Sequence, residues 1–187
     1  MTLGDGKDKV LKLLDEYSSG GVVTIDQDIN LRMSKFFDIA QKDVAAWQPI
    51  IRRCDVELDG TGAQSLPADV CEVLKITRDG VRAPRYEIIG SKIIYNAGDE
   101  STITLDYTAI PASITNDTPD TYELEVSEDA ANCIPFFVAA QQLIPDLVVD
   151  YGAFYNIYLQ MRGLLPRTKR TGSDGGVRQA LYSRRTR

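Results

Sequence analysis

The sequence contains no histidine. Histidine is the commonest general base, the usual partner of serine and cysteine nucleophiles, and a frequent ligand of zinc and iron, so its absence argues against most hydrolases and metalloenzymes. A carboxylate- or metal-dependent enzyme is the remaining catalytic alternative, and no motif in the chain favours it. We therefore predict that the protein is not an enzyme, and we expect no catalytic residues, no metal site and no cofactor.

Cysteine and long apolar runs are also scarce. Cys54, Cys71 and Cys133 are odd in number and contain no CxxC pair, which indicates free, packed thiols in a reducing compartment. No apolar run approaches the roughly 18–20 residues that cross a bilayer. The first residues carry acids where a signal peptide needs a basic head. We expect no membrane association and retention in the compartment of synthesis.

Two kinds of binding motif begin in this sequence but are not completed. Residues 26–30 start like a calcium-binding loop, but Leu31 stands where such a loop requires glycine. The glycine-containing segments 4–7 and 171–176 lack the Gly-x4-Gly-Lys-Ser/Thr pattern and follow no predicted strand, so we interpret both as flexible chain. Neither a metal site nor a phosphate-binding loop is predicted.

Positive charge is concentrated at one end of the chain. The whole sequence has 21 basic and 27 acidic side chains. Residues 163–187 hold seven of the basic and one of the acidic side chains, which leaves residues 1–162 with 14 and 26 and a net charge of −12. Residues 166–187, the basic arm, have too few apolar side chains to offset about 1–2 kcal/mol of backbone entropy per ordered residue. We expect this arm to be ordered only by a partner.

The partner of the basic arm is one of two kinds. Apolar Leu181 and aromatic Tyr182 interrupt the basic residues, which favours docking into a groove of a protein. Nucleic-acid binding stays open, because arginine and tyrosine serve both purposes. The predicted docking residues are Arg167, Lys169, Arg170, Arg178, Leu181, Tyr182, Arg184, Arg185 and Arg187.

Helical periodicity appears in both halves of the body. The strongest pattern is an apolar stripe from Ile29 to Trp47, which predicts one face of a long helix that ends before Pro49. Ser127 is a good N-cap for a third helix, in which Pro135 either causes a kink or marks the start. The predicted helices span residues 6–17, 26–47, 128–144 and 146–165.

Period-two patterns occupy the middle of the chain, in a predicted β-region over residues 54–126. Gly90 and Ser91 separate two short apolar runs, as in a two-residue hairpin. The predicted strands are Val70–Thr77, Tyr86–Ile89, Lys92–Tyr95, Ser101–Thr108 and Tyr122–Val126. This order predicts an α+β fold: a bundle of about four helices with an inserted antiparallel β-meander, together forming a body over residues 1–165, followed by an extended C-terminal arm.

Aromatic side chains recur on one face of the last predicted helix. This stripe consists of Tyr151, Phe154, Tyr155 and Tyr158, with Arg162 one turn further on. Such rings can stack on bases or on a cofactor, but their helical spacing favours packing in the core or at a subunit interface.

The order of these elements resembles the head-to-tail adaptor (connector) proteins of tailed bacteriophages. The resemblance covers about residues 7–165 and lies in order and spacing. It includes a Tyr-x-x-x-Pro turn after the last strand, a tyrosine-rich final helix and a basic arm. The matching segments are Asp38–Trp47, Leu66–Val70, Tyr86–Asn96, Ile103–Asp120 and Glu125–Ala130.

The resemblance implies a structural virion protein that forms a ring of 12 copies below the portal protein and joins the DNA-filled head to the tail. It implies that the arm reaches the portal and that the opposite face receives the next neck or tail protein. The ring would line the DNA exit channel, and an acidic lumen would let genomic DNA pass without specific binding. The expected location is the neck of the virion, after assembly in the bacterial host cytoplasm.

Two other functions stay open beside the adaptor. One is a nucleic-acid-binding module that grips phosphates with the basic arm, although an acidic body is unusual for such a protein. The other, within the same structural class, is a head-closure or tail-completion protein.

Overall fold

The computed structural model describes residues 1–15, 27–82, 86–143 and 151–166. They divide into two compact units, which are described separately below. The helical unit comprises Met1–Ile50 and the described residues from Pro111 onward, and the described residues of the strand unit lie within Ile51–Ile110. The predicted α+β fold, with four helices and antiparallel strands inserted between them, is confirmed for the described residues.

The described part of the helical unit contains four helices. Helix α3 contacts each of the other three, so the core lies around it. The helices are α1 (Leu3–Asp15), α2 (Gln27–Trp47), α3 (Glu128–Leu143) and α4 (Tyr151–Leu164). The predicted helical positions 16, 17, 26, 144 and 146–150 lie outside the described residues.

The apolar stripe of α2 faces this core as predicted. Four of its side chains have no solvent exposure, and two more pack against the core while partly buried. The side chain of Ile29 lies outside the described residues. The fully buried members are Met33, Phe37, Ala40 and Val44, and the partly buried ones are Phe36 and Trp47.

Helix α1 begins three residues before its predicted start, and the interpretation of residues 4–7 as flexible chain was wrong. The Asp5 N–H donates to the Thr2 hydroxyl (3.1 Å) and the Thr2 N–H donates to the Asp5 carboxylate (3.2 Å), a reciprocal cap. A side chain at Gly6 would place Cβ only 2.7 Å from a ring carbon of Phe37. Glycine is therefore needed there for close packing of α1 on α2.

Helix α3 begins at Glu128, so Pro135 lies inside it and does not mark its start. The Ala130 N–H donates to the Ser127 hydroxyl at 3.3 Å, which confirms Ser127 as the N-cap.

The segment from Pro111 to Val126 is held on the helical unit by side chains, and the strand predicted at Tyr122–Val126 is reduced to one isolated bridge between Thr2 and Glu123. Fully buried Gln41 donates to the Ala112 carbonyl (3.1 Å) and accepts from the Glu125 N–H (3.0 Å). The Ala112 carbonyl and the Glu125 N–H are thus satisfied without a sheet.

The described strand unit contains two antiparallel sheets. The order is β1-β7-β3-β4 in the first and β2-β6-β5 in the second. The sequence did not predict β1, β2 or β4. The strands are β1 (Ile50–Glu57), β2 (Ala63–Ser65), β3 (Val70–Arg78), β4 (Val81–Arg82), β5 (Glu87–Ile89), β6 (Lys92–Ile94) and β7 (Thr102–Ala109).

The predicted hairpin is confirmed. Ile89 pairs with Lys92 across a two-residue turn, and Gly90 has φ of 60°, a left-handed conformation that glycine adopts without strain.

Side-chain contacts place β1 beside β7. Arg53 donates to the Asp106 carboxylate through two nitrogens (2.6 and 3.2 Å), and the Thr104 hydroxyl donates to Asp55 at 2.7 Å. From Arg53 to Asp55 the residue number rises along β1, whereas from Asp106 to Thr104 the number of the contacted residue falls along β7. The two strands therefore run antiparallel.

All three cysteines are free, as predicted, but they are not all packed. Cys133 is buried and Cys54 half-buried, whereas Cys71 is exposed. Burial raises the pKa of the Cys54 and Cys133 thiols.

Candidate protein interface

Helix α4 is attached to α3 by aromatic packing. Phe154 and Tyr158 are 3% and 1% exposed. The rings of Phe154 and Phe136 lie 6.4 Å apart, and Tyr158 meets Phe137 edge-on with 5.1 Å between centroids. The prediction that this stripe packs rather than stacks on a ligand is confirmed for Phe154 and Tyr158. The side chain of Tyr151 lies outside the described residues.

A polar cluster joins the end of α4 to α2. The Tyr158 hydroxyl and the Arg162 guanidinium both donate to the carboxylate of Asp43. Burial raises the pKa of Tyr158, and the hydrogen bond to Asp43 raises it further, so the phenol keeps its proton. The guanidinium also lies near the ring of Trp47. This cluster fixes the last turn of α4, from which the chain continues toward the basic arm.

The opposite face of α4 is exposed and carries no charge. Arg162 is the one charged residue between Tyr151 and Leu164, and Asp43 already binds it. A solvated helix face normally carries charged side chains, whereas the centre of a protein interface is depleted of them. The exposed apolar side chains of α4 are Tyr155 (37%), Ile157 (38%), Leu159 (37%) and Leu164 (84%).

Glycine and amide residues lie between these apolar groups on the helix surface. Asn156, Gln160 and Gly163 are exposed, and a Cβ on Gly163 would meet nothing within 4 Å. The exposed surface of α4 can therefore approach another helix closely without burying a charge. We call this surface, from Tyr155 to Leu164, the α4 face.

The sequence prediction missed the α4 face except for Tyr155, which belongs to the predicted stripe but is 37% exposed. A signal for it was present in the sequence, because residues 93–161 contain eleven acids and not one lysine or arginine. The residues between Tyr151 and Met161 have no charge of either sign. A helical segment without charge, in a chain with 26% charged residues, indicates a contact surface.

The nine predicted docking residues of the basic arm all lie outside the described residues. They are Arg167, Lys169, Arg170, Arg178, Leu181, Tyr182, Arg184, Arg185 and Arg187.

Within the described part of the chain, no three side chains of the metal-binding types come together as a ligand set. The loop that starts like a calcium site is described only from Gln27, and the side chains of residues 27–30 are not. No helix in the described ranges is long and apolar enough to cross a membrane.

No protein-family model matches the chain, and no curated protein resembles it in sequence. The α4 face and its neighbouring basic segment therefore carry the functional argument.

Proposed function

We propose that the protein is a structural virion subunit, which assembles with further copies of itself into a ring below the portal of a tailed bacteriophage. The ring joins the DNA-filled head to the tail and surrounds the DNA exit channel. Its partners are its own copies, the portal protein and the next neck or tail protein. It acts in the neck of the virion after assembly in the host cytoplasm.

The observation that carries this proposal is the uncharged α4 face. A helix surface that stays in water can carry charged side chains at no cost. A surface that becomes buried in a subunit contact cannot, because an unpaired buried charge is destabilising. Leu164 is 84% exposed on this face, and the first arginine of the basic arm follows three residues later. A self-association surface thus leads directly into a segment suited to a second, acidic or carbonyl-rich partner.

Charge elsewhere in the chain supports the same role. The run from Ile93 to Met161 has eleven acids and no basic residue, so the body repels the phosphates of DNA. A subunit around a DNA channel benefits from such repulsion, because the genome must pass without binding. The order of helices and inserted strands also agrees with the adaptor resemblance.

A charge placed on the α4 face tests the assembly. Leu159→Glu should prevent ring formation on purified portal, because each subunit contact would bury an unpaired carboxylate. The control is Ile89→Glu, which places the same charge at a similarly exposed site (43%) in the strand unit. Native mass spectrometry with portal present gives the copy number. Equal assembly by both variants, or none by the wild type, would contradict the proposal.

A second experiment separates portal docking from the nucleic-acid alternative. Replacing Arg184, Arg185 and Arg187 with lysine keeps every charge but removes the planar guanidinium fork, which makes bidentate hydrogen bonds. The variant should assemble poorly on portal and bind DNA fragments as weakly as the wild type. Normal assembly with reduced DNA affinity would favour a nucleic-acid-binding module instead.

A further inference from the structure

Strand β1 lies at an edge of the four-stranded sheet and is eight residues long, whereas β4 at the opposite edge has two residues. Among the described residues, no strand pairs with the second side of β1. An edge of this length offers a row of backbone donors and acceptors to another strand. Proteins usually shorten or interrupt such edges, so the length of β1 indicates that the edge has a use.

One hydrogen bond determines which residues of β1 face this edge. The Leu58 N–H donates to the Ser101 carbonyl at 3.0 Å, so the even-numbered residues direct their backbone groups toward β7. Alternate residues of an antiparallel strand point in opposite directions. The residues that direct backbone groups to the free edge are therefore Ile51, Arg53, Asp55 and Glu57, whose side chains are all exposed.

The charges of these residues make the edge complementary to itself. The first half of β1 is basic and the second half acidic. In an antiparallel pair centred on Cys54, Arg53 of each copy lies opposite Asp55 of the other, and no like charges meet. Moving the register by two residues brings two Asp55 or two Arg53 side chains together at the centre, a like-charge contact that the register centred on Cys54 avoids. A shift by one residue would place an edge-facing residue of one copy opposite a residue of the other copy whose backbone groups point toward β7. The two backbones could then not form hydrogen bonds with each other.

We propose that two copies of this chain pair through their β1 edges, antiparallel and centred on Cys54, so that the two four-stranded sheets become one continuous sheet. This contact has two-fold symmetry, whereas a cyclic ring joins two different surfaces. Copies paired in this way cannot be neighbours in one cyclic ring, so the pair is a contact of the unassembled protein and does not use the α4 face.

The contacts that Arg53 and Asp55 already make are compatible with this pairing. The guanidinium has five N–H donors and uses two of them on Asp106, and its side chain is 72% exposed. Asp55 accepts one hydrogen bond, from Thr104, and a carboxylate can accept several. Each side chain can hold its present partner while it binds the second copy.

The register predicts a specific cross-link. Cys54 would lie opposite its own copy in a non-hydrogen-bonded pair, where Cα atoms are about 4.5 Å apart, within the range that a disulfide spans. Added diamide should oxidise the two thiols to one disulfide and take up the two protons and two electrons. Non-reducing electrophoresis should then show a covalent dimer in the wild type and in Cys71→Ser, but not in Cys54→Ser. Linkage through the exposed Cys71 would overturn the register.

A pair of charge variants tests the contact without oxidation. Asp55→Lys places lysine opposite Arg53 of the second copy at two symmetric positions and should weaken self-association about tenfold or more. Glu57→Lys makes the same charge change on the same strand but faces Ile51, so its association should stay close to that of the wild type. Sedimentation velocity over a dilution series measures both, and circular dichroism checks folding. Equal effects, or a wild type that is monomeric throughout, would contradict the proposal.

Discussion

The guanidinium of Arg162 lies over the indole ring of Trp47, with Cζ 5.1 Å from the ring centroid. The same group is 5.5 Å from the ring centre of Tyr158 and binds the carboxylate of Asp43. One side chain of α4 thus meets two aromatic rings and an acid, and this fixes the last turn of the helix against α2.

Lysine cannot reproduce this arrangement, because an ammonium lacks the planar face and the fork of hydrogen-bond donors. Arg162→Lys should lower the free energy of unfolding by about 1–2 kcal/mol. Trp47 is the single tryptophan of the chain, so its fluorescence reports on the site directly. The control, Arg78→Lys, alters a more exposed ion pair and should change stability by less than about 0.5 kcal/mol. Similar melting curves for both variants would count against a role for the stacking.

Gln41→Leu should be strongly destabilising. The substitution leaves the Glu125 N–H and the Ala112 carbonyl without the partners that Gln41 provides, at a cost of about 2–4 kcal/mol. Gln160→Leu makes the same chemical change on an exposed helix position and should be within about 0.5 kcal/mol of the wild type. Urea denaturation measures both, and a small loss for Gln41→Leu would mean that water replaces the amide.

Gly6→Ala and Gly163→Ala should have opposite effects. Both glycines lie in helices, where alanine is intrinsically favoured by about 1 kcal/mol. At Gly6 the new methyl would overlap the buried ring of Phe37, and overpacking costs about 1–3 kcal/mol. At Gly163 the methyl meets open space. Thermal melting should show a lower midpoint for the first variant and a higher one for the second, and the opposite order would contradict the packing.

The stability of the strand unit should depend on the ionisation of Asp59. Hydrogen bonds from the Thr61 hydroxyl, the Tyr95 hydroxyl and the Thr61 N–H lower the pKa of Asp59 from 3.8 to about 2. Because the folded pKa lies below the unfolded one, the stabilisation is fully present above about pH 4 and is lost as the pH falls toward 2. In thermal melts, the advantage of the wild type over Asp59→Asn should shrink across this range. The stability of Thr61→Val, which lacks the hydroxyl, should depend less on pH between 4 and 2 than that of the wild type. A difference in melting temperature between wild type and Asp59→Asn that stays constant across this range would contradict the prediction.

The helices were predictable because their signals are local. The α2 stripe repeats over five turns, and Ser127 caps α3 from within its own sequence. Strand β1 was missed because apolar and polar residues do not alternate in its sequence, in which Arg52 and Arg53 are adjacent. Burial nevertheless alternates along the strand in the structure. The start of α1 was missed because Gly4 and Gly6 disfavour a helix unless a neighbour requires close approach.

The buried polar contacts were beyond local reasoning for a different reason. Gln41 binds groups 71 and 84 positions further along the chain, and Arg162 binds an acid 119 positions before it. Nothing in the residues around Gln41 distinguishes it from a solvated glutamine. Similarly, the aromatic stripe of α4 predicted the buried side of that helix, whereas the importance of its other side depends on an absence of charge that periodicity does not measure.

The bonds between the first residues and the segment before α3 also bear on how the chain folds during synthesis. The Leu3 N–H donates to the Tyr122 carbonyl and the Leu124 N–H donates to the Met1 carbonyl, across about 120 positions of sequence. The inserted strands, which lie between Ile50 and Ala109, emerge from the ribosome before those partners of α1 do. Contacts so distant in sequence form slowly, because a long loop must close first. We therefore expect the inserted strands to fold first. Until α3 is available, the apolar faces of α1 and α2 stay unpacked and accessible to chaperones.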